Sequence, residues 1–123
     1  MNNQEITVLY KWKANEGQKD ALISIYNQVE KDMQTNEPGA IEVVCYFDDA
    51  NNELIVKDVF RDAGALGFHL GTTAAGHFPS LLQVAEPGPF IFCGEVPEEM
   101  QQAARGMGLN ATFAPSLFGF DKR

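Results

Sequence analysis

The sequence has few positive charges and no long apolar run. Nine Lys and Arg residues stand against 17 Asp and Glu residues, which gives a net charge of −8. Phosphate backbones are bound by clustered cations, so a chain without any basic stripe is not expected to bind nucleic acid or anionic membrane surfaces. No apolar run approaches the roughly 20 residues of a membrane-spanning helix. The N-terminal residues lack a secretory-signal pattern, so we expect a cytoplasmic protein.

Cysteine is also scarce. Cys45 and Cys93 each lie in an apolar, strand-like run. Because small secreted scaffolds usually carry more cysteines, we predict two buried free thiols rather than a disulfide. Nucleotide-binding glycine motifs and the nucleophile elbow are absent. The spacing of His69 and His77 does not match a metal-binding motif, so we predict no metal site.

What is present is a clear order of strands and helices. Alternating and helical periods predict strands at 5–14, 41–47, 53–60 and 90–96, and helices at 18–36 and from 98 to about 105. Between Asp62, a predicted N-cap, and Val84 we expect two shorter helices that are separated near Gly71. The order β-α-β-β-α-β is typical of an α+β, ferredoxin-like fold with an antiparallel sheet and helices on one face.

We predict one domain over residues 1–123, with a core at about 5–97. A C-terminal extension over 98–123 contains the last helix and an aromatic tail. The strands are apolar on both faces, as Val43 and Val44 illustrate, although helices cover only one face. We therefore predict a homodimer packed sheet to sheet, with the tail able to reach the partner.

A short pattern follows the predicted hairpin. Asp58, Phe60 and Asp62 form an acid-x-aromatic-x-acid run, and Ala65 and His69 follow it. With its surroundings, over about residues 5–97, this pattern resembles the antibiotic biosynthesis monooxygenase family, which includes quinol monooxygenases. The resemblance implies a dimeric α/β barrel. It also implies an oxidoreductase that needs no cofactor and adds oxygen to a small aromatic or quinol-type molecule.

The chain departs from the family pattern at several positions. Phe60 stands where Trp or Tyr is common, and Asp58 stands where Glu is common. The first strand lacks the asparagine of haem-degrading relatives, and His77 lies near, but not on, their axial histidine position. Haem binding is therefore a weaker hypothesis. A non-catalytic ligand-binding or stress-response dimer on the same scaffold is the other alternative, since a fold does not fix a function.

His69 is the first candidate for chemistry, because its unperturbed pKa suits proton transfer near neutrality. The resemblance implies that it deprotonates a phenolic substrate, whose anion then reacts with dioxygen. Asp58 shares a predicted strand face with apolar residues, where an acid is costly unless paired. We expect Asp58 to orient a histidine or to pair with Lys or Arg, and we include it among the catalytic candidates.

Aromatic side chains make up the candidate substrate-binding set, although such residues on strands more often form a core. We predict that a flat aromatic ligand binds between the sheet and the helices. Tyr10 and Tyr46 both offer a hydroxyl to a ligand oxygen, and the sequence does not choose between them. The candidate substrate-binding residues are Tyr10, Trp12, Tyr46, Phe60, Phe68 and His77.

Overall fold

The computed structural model describes residues 4–123. Its strands are β1 (Ile6–Ala14), β2 (Ala40–Asp48), β3 (Glu53–Phe60), β4 (Ala85–Cys93) and β5 (Ala111–Ala114). Its α-helices are α1 (Lys19–Asn36), α2 (Ala63–His69), α3 (Ala75–Val84) and α4 (Glu98–Gly106), with a π-helical segment (Leu70–Ala74) that joins α2 to α3. No helix in the described part of the chain is long and apolar enough to cross a membrane.

The strands form one sheet in the order β2-β3-β1-β4-β5. The first three pairings are antiparallel, and β5 joins the edge of β4 in parallel. This arrangement confirms the predicted α+β, ferredoxin-like fold and adds a fifth strand that the sequence pattern did not predict. The fifth strand places Phe113 against Phe92, with ring centroids 5.1 Å apart.

The core lies between the sheet and the helices. Along β1, Ile6, Val8, Tyr10 and Trp12 are buried, as their alternation predicts. Helix α1 packs against this face through Leu22, Tyr26, Val29 and Met33, which recur at helical spacing. Tyr26 brings a hydroxyl into this otherwise apolar part of the core.

Two helices are present between Asp62 and Val84 as predicted, but the predicted break near Gly71 is wrong. The chain stays helical through this region and widens into the π-helical segment instead. The Thr72 hydroxyl donates a hydrogen bond to the Phe68 carbonyl at 2.6 Å, and such side-chain bonds compete with the regular backbone ladder. Poor helix formers thus loosen the helix here without ending it. At its start, Asp62 Oδ1 accepts from the Ala65 amide, which confirms the predicted N-cap.

The predicted bounds of β4 are also wrong. The strand begins at Ala85 and includes Pro87 and Pro89, where the sequence pattern predicted a turn. Proline is tolerated at strand positions that need no ladder hydrogen bond. Pairing with β5 begins only at Phe90, and the register with β1 shifts between Tyr10 and Trp12. This part of the strand therefore has a neighbour on one side and an irregular ladder.

The cysteine prediction holds in part. Both thiols are free, but Cys45 is exposed and Cys93 is half-buried. Strand β2 is an edge strand, and a groove between β2 and α1 leaves the Cys45 thiol accessible.

Candidate active site

A cavity of about 40 Å³ lies between the sheet and the helices. A single water needs roughly 10–15 Å³ on this measure, so the cavity has room for a few waters. Four polar side chains face it: Tyr10, Asp58, His69 and His77. Its remaining lining is apolar and comes from β1, β3, β4, α1, α2, the π-helical segment, α3 and the loop after α4. These residues are Val8, Trp12, Val29, Phe60, Leu66, Leu70, Ala74, Phe78, Leu81, Phe90, Phe92, Met107 and Leu109.

His69 ends helix α2 and is paired with a carboxylate. Its Nδ1 lies 3.0 Å from Oε2 of Glu37, and both side chains are buried. The His69 ring also packs on Phe60, with centroids 5.0 Å apart. A hydrogen bond on one side and a ring contact on the other hold the imidazole in one orientation against the cavity.

Glu37 was not predicted as a site residue. It follows the last turn of α1, where the helix dipole disfavours a negative charge, so its sequence position resembles an exposed helix end. The fold buries it because the chain turns back at Gly39, where a Cβ would lie 2.4 Å from that of Ala65. Only glycine permits this close approach of β2 to α2, which brings Glu37 next to His69.

Glu37 is the more acidic of the two buried carboxyl groups of the site. Burial raises the pKa of Glu37, but hydrogen bonding and attraction to His69 outweigh it, and the net pKa lies below the usual value. An ionised Glu37 only accepts, so Nδ1 of His69 carries the hydrogen between them. In the neutral imidazole, Nε2 keeps its lone pair, and it has no hydrogen-bond partner within residues 4–123. This is the state that a general base requires.

Asp58, which also lines the cavity, ends a chain of buried hydrogen bonds. Trp12 Nε1 donates to Tyr26 Oη at 3.1 Å, and Tyr26 Oη donates to Tyr10 Oη at 3.0 Å. Tyr10 Oη donates to Oδ2 of Asp58 at 2.7 Å. Oδ1 of Asp58 is buried without a partner in the described part of the chain.

The pKa of Asp58 is raised to about 6, mainly because burial disfavours the charged form. The nearby His69 and the Tyr10 hydrogen bond act in the opposite direction and reduce the shift. Burial also raises the pKa of Tyr10 and Tyr26 well above the usual value, so both hydroxyls stay protonated near neutrality. The site thus contains one carboxyl that ionises readily and one that ionises only near neutral pH.

His77 lies at the edge of the cavity. Its Nε2 is 2.6 Å from Oδ2 of Asp32 on α1, and both side chains are partly exposed. Hydrogen bonding to His77 is the largest effect that lowers the pKa of Asp32. The pair therefore links α1 to α3 where the cavity approaches solvent.

The structure brings together most of the residues predicted for the site and separates two of them. The prediction that Asp58 pairs with a histidine or a basic residue is wrong, because its partner is Tyr10 and His69 pairs with Glu37. Tyr46 and Phe68 are largely exposed and lie outside the cavity, on the other face of the sheet and on the outside of α2. The predicted residues that line the cavity are Tyr10, Trp12, Asp58, Phe60, His69 and His77.

Sequence reasoning missed Glu37, which pairs with His69, and Tyr26, which donates a hydrogen bond to Tyr10. Tyr26 carries a weak signal, since it falls at helical spacing between Leu22 and Val29. In the described residues, no group of three or more His, Cys, Asp or Glu side chains is arranged to hold a metal ion. The polar groups of the cavity are suited to proton transfer and hydrogen bonding.

Comparison with known proteins identifies the family. The family model for antibiotic biosynthesis monooxygenases matches residues 5–79, and the chain belongs to that family. No curated protein matches the chain.

Solved structures share the fold at low identity. MupZ from Pseudomonas fluorescens is 18% identical, with a TM-score of 0.80, over 98% of this chain and 96% of that one. SnoaB from Streptomyces nogalater, described as a cofactor-independent oxygenase, is 14% identical, with a TM-score of 0.64, over 72% and 90%. Rv0793 from Mycobacterium tuberculosis is 14% identical, with a TM-score of 0.66, over 76% and 97%.

Proposed function

We propose that this protein is a cofactor-independent monooxygenase that acts on a small aromatic or quinol-type substrate. The observation that carries the proposal is the buried His69–Glu37 pair, whose His69 side chain lines a mainly apolar cavity. Membership of the antibiotic biosynthesis monooxygenase family supports the same activity class. So does the fold shared with SnoaB, described as a cofactor-independent oxygenase.

In the proposed reaction, Nε2 of His69 removes a proton from a substrate hydroxyl. Glu37 stabilises the imidazolium that forms and keeps the ring in place, as the carboxylate of a catalytic triad does. The electron-rich anion then reacts with dioxygen. For a hydroquinone, one oxygen atom enters the ring and the other leaves as water. The product is a hydroxyquinone, and the substrate supplies all four electrons.

The cavity has to widen for an aromatic ring. Its volume of about 40 Å³ is smaller than the engineered cavity of about 150 Å³ that binds benzene in another protein. The π-helical segment supplies Leu70 and Ala74 to the wall, and such segments often occur at functional sites. We propose that this part of the wall moves when substrate enters.

We further propose that the protein is a cytoplasmic homodimer that packs through the outer face of the sheet. Leu9, Ile91 and Tyr46 expose apolar surface there, where no helix covers it. Exposed apolar surface with polar residues around it often marks an interaction surface. The mass of the protein in solution tests the dimer.

Oxygen uptake tests the activity. The purified protein is offered a panel of hydroquinones and anthrones beside the variant His69→Gln, and circular dichroism confirms that the variant is folded. We expect uptake by the wild type and a loss of at least about a hundredfold in the variant, as for removal of a general base. Equal uptake by both proteins would contradict the role of His69. Ligand binding without oxygen consumption would favour the non-catalytic binding dimer.

A further inference from the structure

The chain of hydrogen bonds runs from Trp12 through Tyr26 and Tyr10 to Asp58. An indole N–H donates and does not accept, so the Tyr26 oxygen receives the Trp12 hydrogen. The Tyr26 hydrogen is then directed to Tyr10, and the Tyr10 hydrogen to Oδ2 of Asp58. In this arrangement the acceptor position on Oδ2 that faces Tyr10 is filled.

The other carboxyl oxygen has a different environment. Oδ1 of Asp58 is buried and has no partner among residues 4–123, while the Asp58 side chain lines the cavity. When the acid is protonated on Oδ1, that hydrogen has no acceptor among the described residues, and a ligand oxygen that enters as the cavity widens can accept it. A neutral carboxyl in an apolar site is a strong hydrogen-bond donor, and a carbonyl oxygen is its natural acceptor.

We propose that Asp58 donates a hydrogen bond through Oδ1 to a carbonyl oxygen of the ligand. Tyr10, Tyr26 and Trp12 act as positioning residues that reserve Oδ1 for this role. This inference rests on the proposed function, because it names a second group that acts on the same substrate. The ligand that fits both ends of the site carries an acidic hydroxyl and a conjugated carbonyl.

The chemistry of such a ligand connects the two ends. Removal of the hydroxyl proton by Nε2 of His69 leaves an electron pair that is delocalised onto the carbonyl oxygen. The hydrogen bond from Asp58 strengthens as that negative charge grows, so the site favours the anion more than the neutral ligand. The proton rests on His69, no electrons leave the ligand in this step, and the activated anion is the species that reacts with dioxygen.

The ionisation of Asp58 is set by groups on every element that packs around it. A pH response at the carbonyl end therefore has to be separated from a response at His69. A ligand with a carbonyl and no hydroxyl makes this separation, because it does not require the imidazole as a base. The titratable groups near Asp58 are Tyr10 on β1, Tyr26 on α1, Glu37 after α1, Cys45 on β2 and His69 on α2, with His77 on α3 lining the same cavity.

The test is anaerobic binding of three probes, 4-hydroxyacetophenone, acetophenone and hydroquinone, between pH 5 and pH 8. We expect 4-hydroxyacetophenone to bind about tenfold more tightly than acetophenone or hydroquinone at pH 5, the effect of one further hydrogen bond. Acetophenone affinity should fall as pH rises through about 6, where Asp58 loses its proton. Absence of acetophenone binding, or an affinity that is flat over this range, would overturn the proposal.

Two variants make the test specific. Asp58→Asn keeps an N–H donor and does not ionise, so its affinity for acetophenone should stay at the low-pH value up to pH 8. Tyr10→Phe removes the hydrogen bond that stabilises the carboxylate, so the midpoint of the pH response should move upward. Tyr46→Phe, a hydroxyl deletion at an exposed site outside the cavity, is the matched control and should leave the midpoint in place.

The outcomes separate this inference from the proposed function. Acetophenone affinity that falls with rising pH in the wild type but not in Asp58→Asn, without oxygen uptake by any substrate, would leave the inference standing and remove the oxygenase. Oxygen uptake that requires His69, with acetophenone binding unaffected by Asp58→Asn and by pH, would support the oxygenase and overturn the inference about Asp58. A loss of acetophenone binding by folded Asp58→Asn at pH 5 would also overturn the inference, since the amide retains a donor.

Discussion

Glu37 and Asp58 are two buried carboxylates of one site, and their pKa values move in opposite directions. Glu37 contacts a histidine, which offsets the cost of burial and keeps the pKa below its usual value. Asp58 contacts only a hydroxyl, which leaves burial dominant and raises the pKa to about 6. Burial and the hydrogen-bond partner together thus make Glu37 the anion of the site and Asp58 its acid.

The largest effect is expected from Asp58→Asn. The pKa of Asp58 is higher in the folded protein than in the unfolded chain, so folding binds a proton between about pH 4 and pH 6. The wild type therefore loses stability as pH rises through this range, and a neutral side chain does not. Urea unfolding should show Asp58→Asn more stable than the wild type by about 3 kcal/mol at pH 8, with little difference at pH 4. A destabilised variant at pH 8 would contradict the assignment.

A smaller effect of opposite sign is expected from Glu37→Gln. The variant replaces a charge-assisted hydrogen bond to His69 by a neutral one, and we expect a loss of about 1–2 kcal/mol in the free energy of unfolding at pH 7. Because the pKa of Glu37 is lowered, the contribution of its charge is present above its usual value of 4.5 and is lost as pH falls below it. Unfolding of both proteins at pH 7 and in the acid range checks this trend.

The smallest effect is expected from Asp32→Asn, which is the matched control for Glu37→Gln. Asp32 also pairs with a histidine, but the pair is partly exposed and solvent screens it. We expect little change in stability at any pH. A loss as large as that of Glu37→Gln would show that burial does not distinguish the two histidine–carboxylate pairs.

Periodicity predicted the fold well, because it depends on which residues face a core. Alternation in β1 and the helical spacing in α1 placed Trp12 and Leu22 where the structure has them. The π-helical segment could not be read in the same way. It depends on a hydrogen bond from Thr72 to the Phe68 carbonyl, which apolar spacing does not encode.

The site was predictable only in part. His69 and Asp58 were identifiable because burying a polar residue within an apolar pattern costs free energy unless it is paired or hydrogen-bonded. Their partners were not, because Glu37 reaches His69 through the close approach of Gly39 to Ala65, a tertiary contact between distant segments. Tyr46 was an equal candidate with Tyr10 in the sequence, and only the sheet register places the two on opposite faces.

A carboxyl-carbon NMR titration of the uniformly labelled protein tests the central claim most directly. Asp58→Asn and Glu37→Gln assign the two signals. We predict that Asp58 titrates near pH 6 and that Glu37 titrates below its usual value of 4.5. Titration of both carboxyls together in the ordinary acid range would contradict the division of the site into an acid and an anion.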